Sequence, residues 1–64
     1  MFEQLKQYCD DYKIVIVTDG TCVVKGLLGH LYNNKFMVEN KCFCVEFDIA
    51  NILHIVDNTI TLKA

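Results

Sequence analysis

The sequence predicts a mainly β fold: a short N-terminal helix, then a small, strongly bent, five- to six-stranded antiparallel barrel. Three observations carry this. Between Ile14 and Ile55, short runs rich in β-branched and aromatic residues alternate with polar turns, the spacing of successive strands. The longest of these runs, Cys22 to Leu31, is interrupted by Gly26 and Gly29, and glycine inside a strand marks a bulge or a sharp bend. Ahead of them, Phe2, Leu5, Cys9 and Tyr12 recur at three- and four-residue steps, which puts them on one face of a helix.

The elements follow in order. Glu3, Lys6, Gln7 and Asp10 occupy the opposite face of the predicted helix, which must dock on the barrel because a short helix is marginal alone. Ile14 to Val17 is apolar at every position, so this strand is expected to be covered on both faces. Asp19-Gly20 suits a type I′ hairpin turn. The long strand from Cys22 bends at Gly26, and Tyr32-Asn33-Asn34-Lys35 turns again, since Asn tolerates left-handed backbone. Phe36 to Val38 resumes the sheet and Glu39-Asn40-Lys41 turns once more. From Cys42 the residues alternate, with Phe43, Val45 and Phe47 on the side expected to be core. Asp48 to Asn51 suits a single 3₁₀ turn, Ile52 to Val56 a strand apolar on both faces, Asp57-Asn58 a turn, and Thr59 to Lys63 a last strand or arm.

At 64 residues the chain is read as a single domain, residues 1–64. A domain of this size buries only about 60% of its unfolded surface, so its own core is marginal and oligomerisation is a usual remedy. The hydrophobic content is 53%, with a mean hydropathy of +0.27. No stretch approaches the roughly 18 uninterrupted apolar residues of a membrane span, so no membrane partner is expected. The acidic N-terminus lacks a signal pattern, and a mature cytoplasmic chain is expected.

The net charge is −2, all six basic residues are lysines, and there is no arginine. Phosphate contacts draw on clustered Lys and Arg, which argues against a general duplex binder. Cys9, Cys22, Cys42 and Cys44 lack the paired spacing of a zinc site. They read as reduced strand residues, with no metal and no cofactor.

The N-terminal helix, the bent second strand and the closing Asp48-Ile49-x-x-Ile52 resemble the Sm-like (Lsm) family, one of the SH3-like small barrels. The match runs from Tyr12 to about Ile55, with Val15, Val17, Asp19, Gly20, Gly26 and Leu28 at places of the first motif and Ile49 and Ile52 at those of the second. The resemblance implies a small barrel, ring-like oligomers and an RNA site. It departs in two places: the first motif's RNA-binding Asp is missing beside Tyr32–Lys35, and Asp48 stands near the place of the second motif's basic pair.

No nucleophile triad or phosphate loop is present, so the chain is read as non-enzymatic. His30, Cys42, Cys44 and His54 are a combination that strand alternation could gather around a metal; both histidines are read instead as surface or interface residues. The ligand site expected is Tyr32, Asn33, Asn34 and Lys35, with His54: an aromatic face, two amides and an ammonium can stack a base and bond its edge. Two functions follow. One is an oligomeric binding module for single-stranded RNA or a small nucleotide. The other is a protein-interaction module acting on a protein target, of which a phage-encoded inhibitor that sequesters a host factor is one version. In both, the chain pairs with itself as a ring or a dimer, because Ile14–Val17 and Ile52–Val56 offer more apolar strand surface than one small barrel can enclose.

Overall fold

In the computed structural model, which describes residues 2–64, one helix precedes six strands. These are α1 (Phe2–Asp10), β1 (Ile14–Thr18), β2 (Val23–Tyr32), β3 (Lys35–Glu39), β4 (Cys44–Asp48), β5 (Ile52–Val56) and β6 (Thr59–Leu62), with a 3₁₀ turn at Ile49–Asn51 between β4 and β5. They form one sheet in the order β4-β3-β2-β1-β6-β5. All neighbours are antiparallel except β1 and β6, which run parallel with Ile16 against Thr59 and Thr18 against Thr61.

This corrects the expected antiparallel barrel on two points. The sheet is mixed, and no ladder joins β4 to β5, so it is not closed. The β5–β6 hairpin explains both. Once β6 occupies the free edge of β1, β5 is moved one strand outward. The sheet is nevertheless rolled. Its two outermost strands are linked by only Ile49-Ala50-Asn51, a reach of about 10 Å even when extended. The molecule measures 27 × 27 × 23 Å.

The roll encloses Val15, Val17, Leu28, Phe36, Val38, Ile52 and Ile60, joined by Leu5 of the helix. Phe36 stacks on Phe47 at 5.3 Å between ring centres. Burying such a side chain stabilises by about 1.5–3 kcal/mol, so Leu5 is the main anchor of a helix that is too short to persist alone. Tyr8 and Cys9 pack beside it. The Tyr8 hydroxyl donates to the Asp57 carbonyl, and the Cys9 thiol to the Gly29 carbonyl at 3.7 Å.

Several expectations about side chains change. Phe2 and Tyr12 are exposed, and Tyr8 takes the packed position instead. Tyr12 is displaced because the helix ends before it. Tyr12 N–H bonds Cys9 O and Lys13 N–H bonds Tyr8 O, a Schellman cap whose left-handed residue is Tyr12 itself, at φ 53. β1 is not covered twice: Val15 and Val17 point inward, while Ile14 is exposed and Ile16 half-buried. On β5, Ile52 is buried but Leu53 and Val56 are exposed. Val45 and Phe47 are half-buried on the inner side, and Phe43 lies exposed before β4 begins.

The turns divide differently from expectation. Asp19-Gly20 is not a two-residue turn: Asp19 to Cys22 all lie in the loop, and only Gly20 has positive φ, at +92. The Asp19 carboxylate accepts from the Thr21 and Cys22 N–H groups, both at 2.9 Å, and these bonds hold its pKa below the ordinary value. The type I′ turn is Asn33-Asn34, at φ 50 and 60. Asp57 alone is positive in the β5–β6 turn, as in type II′. Asn40 organises the β3–β4 loop, accepting from Cys42 N–H and donating to the Lys25 carbonyl of β2.

β2 and β3 approach closely at Gly26, where a Cβ would lie 2.5 Å from the Glu39 carbonyl oxygen. Gly26→Ala is therefore expected to destabilise by about 1–3 kcal/mol, the range for overpacking against groups that cannot yield. Tyr12→Gly has the opposite sign: relieving the left-handed tyrosine should stabilise by about 0.5–1 kcal/mol. Urea melts of the two variants check both, and a Gly26→Ala melt at the wild-type midpoint would show that the sheet does not need this close approach.

Candidate functional site

The Tyr32–Lys35 turn projects from the end of the β2–β3 hairpin. Both asparagines are committed to the turn through their backbone, and the Asn34 carbonyl accepts from Ile49 N–H at 2.9 Å, docking the turn on the 3₁₀ segment. Tyr32 and Lys35 are paired across β2 and β3, and Lys35 is paired with Asp48 across β3 and β4. Paired residues share a face, so Tyr32, Lys35 and Asp48 lie in one row on the outer surface, beside the row of His30, Met37 and Glu46.

Tyr32 is half-exposed, but its hydroxyl donates to the Glu46 carboxylate. That bond, and then the charge of Glu46, hold the Tyr32 phenol above its usual pKa. The surface around the turn therefore carries two carboxylates, Glu46 and Asp48, against the one ammonium of Lys35. Sequence reasoning missed Glu46 as a member of this group. Its signal is the strand register, which brings β4 alongside β3.

The fifth predicted residue is His54. It lies on β5, at the opposite end of the sheet order from β4, paired with Thr61. The residues weighed as a metal set are dispersed over β2 (His30), the β3–β4 loop (Cys42), β4 (Cys44) and β5 (His54). Among the described residues no group of three His, Cys, Asp or Glu is gathered to hold an ion. All four cysteines are free thiols. Burial, and then the neighbouring Asp10 carboxylate, push the Cys9 thiol's pKa up, away from the thiolate that a nucleophile requires.

Two further surface features bear on function. A cleft of about 360 Å³ runs between α1 and β2, lined by Phe2, Lys6, Cys9 and Asp10 on one wall and by Gly29, His30 and Leu31 on the other. The bulge between Leu28 and His30 shapes its β2 wall. The other feature is the outer edge of β5, which carries no charged residue and leaves Leu53 54% and Val56 59% exposed. The opposite edge, β4, carries Glu46 and Asp48.

No protein-family model matches the chain, and neither the curated proteins nor the solved structures contain a match to it. No helix among the described residues is long and apolar enough to cross a membrane.

The Tyr32–Glu46 bond has a measurable pH signature. The folded pKa of Tyr32 is raised, so the bond's contribution is present below the unfolded tyrosine value of about 10 and is lost as pH rises through the folded one. The Tyr32 ring-carbon resonance is expected to titrate at lower pH in Glu46→Gln than in the wild type. Coincident titrations would show that the two side chains do not interact in solution.

Proposed function

We propose that this chain is a non-enzymatic protein-interaction module that assembles by strand addition at the β5 edge, with a second copy of itself as the partner. The observation that carries this is the uncharged, apolar edge. Native sheets protect free edges with charge, proline or bulges, because unpaired N–H and C=O groups recruit other strands. β4 has charge; β5, Ile52-Leu53-His54-Ile55-Val56, has no charge and only one bulge, at Leu53.

A two-fold axis pairs like with like. Two antiparallel β5 strands centred on His54 set Ile52 against Val56 and Leu53 against Ile55, all apolar. A ring needs β4 of one copy on β5 of the next, which sets Glu46 and Asp48 beside Leu53 and Val56. The dimer avoids that mismatch, and so fits this edge better than a ring. The bulge shortens the regular ladder, which makes the association a weak one.

A relationship to Sm-like barrels is part of the same proposal. What supports it is the succession β1 to β4, the 3₁₀ turn and β5, with β6 as an addition between β1 and β5. The RNA or nucleotide reading has less support. The Tyr32 hydroxyl is occupied by Glu46, and the surrounding face holds more carboxylates than ammonium groups, whereas phosphate binding draws on clustered cations.

Light scattering across a concentration series tests the dimer. The wild-type mass should rise from 7.4 kDa towards twice that value. His54→Lys and His54→Glu alone should each stay monomeric, and an equal mixture of the two should regain the dimer. A wild type that stays monomeric at about 1 mM overturns the self-pairing. Oligoribonucleotides that shift the amide signals of Tyr32–Lys35, with those of β5 unmoved, would favour the RNA reading instead.

A further inference from the structure

We infer that the cleft between α1 and β2 is a binding site for a small zwitterion with an apolar body, the chemistry of a free aromatic or branched α-amino acid. The site does not include the β5 edge, and its β2 wall ends at Leu31, next to Tyr32. Its volume of about 360 Å³ lies in the range of small-molecule pockets.

The order of groups along it defines the ligand. Phe2, Lys6 and Asp10 are spaced by four residues, so they line one flank of the helix over about 12 Å. A ligand laid along that flank meets a ring, then an ammonium, then a carboxylate. Across the cleft, Leu31 extends the apolar part and His30 adds a polar ring beside it. A carboxylate on the ligand is matched by Lys6, an ammonium by Asp10 and an apolar side chain by Phe2 and Leu31. An anion without an amine leaves Asp10 facing it unmatched; an amine without a carboxylate leaves Lys6 unused.

A second observation points the same way. Asp10 ends the helix, Asp11 follows it, and the last turn holds no basic residue. Carboxylates at the negative end of a helix dipole oppose helix formation, where a lysine or arginine would favour it. A ligand ammonium bound at Asp10 supplies the missing positive charge. Phe2, meanwhile, lines the cleft and leaves 51% of its surface exposed, an apolar ring only half covered by the described residues.

The test is an amide-shift titration of the full chain with L-phenylalanine, phenylacetate and phenethylamine, which share a ring and differ in charge. Phenylalanine should move the signals of Phe2–Asp10 and Gly29–Leu31 with a dissociation constant of about 1 mM, and the two singly charged compounds should bind at least tenfold more weakly. Lys6→Met should weaken phenylalanine tenfold and leave phenethylamine unchanged. Asp10→Asn should weaken phenylalanine and leave phenylacetate unchanged or improved. Both positions are exposed, and an unperturbed core spectrum confirms the fold of each variant. No shift in the cleft at about 20 mM phenylalanine, or equal affinities in both variants and the wild type, overturns the site.

Discussion

The outermost strands of this sheet, β4 and β5, are consecutive in the chain and separated by three residues. A six-stranded sheet cannot be flat under that constraint. It has to roll until the end of β4 meets the start of β5, and the inner face then becomes a core without any second layer of structure. Gly26 and the Gly29 bulge are where β2 yields to the roll, and the helix sits against the same stretch of β2, with Leu5 reaching the core. The cleft follows from this arrangement, because a helix laid across a bending strand cannot follow its whole length.

The same geometry decides which surfaces remain unmatched. A chain this short has few side chains to place, and its core takes one face of each strand. The outer face receives a mixture: acids and a lysine near the β2–β3 turn, Ile14 and Val23 on the neighbouring strands, and Leu53 and Val56 on β5. Charge is therefore unevenly shared between the two edges. β4 carries like charges that oppose pairing with a copy of itself, while β5 carries none. That asymmetry, more than the total apolar area, makes β5 the surface where another strand gains most.

Much of the local structure was legible because it is governed by neighbours in sequence. The strands are β-branched runs, the Asn-Asn turn is a left-handed pair, and the 3₁₀ turn lies where Asp48 to Asn51 suggests it. Pairing was less legible. Nothing in Thr59-Ile60-Thr61-Leu62 distinguishes a strand beside β1 from a strand at an edge, and its parallel run against Ile16–Thr18 rests on contacts distant in sequence. The excess of apolar residues in β1 was misread for a related reason. Ile14 and Ile16 face outward and are only partly covered, which alternation cannot distinguish from a strand buried twice. For the candidate site, the turn itself was visible, but Glu46 was not, since only the β3–β4 register brings it within reach of Tyr32.

The parallel pairing of β1 with β6 also bears on how the chain folds. β1 to β4 form a meander of neighbouring hairpins, and β5–β6 is a hairpin of its own, so both pieces assemble through local contacts. Joining them requires Ile16–Thr18 to meet Thr59–Thr61, about two-thirds of the chain length apart in sequence. Non-local pairings of this kind slow folding, because the loop must close before any contact rewards it. Until that step, the edge of β1 that carries Ile16 and Val17 is open. The final hairpin therefore acts as a built-in cap, and the interval before it docks is when an unfinished chain is most exposed to pairing with the wrong strand.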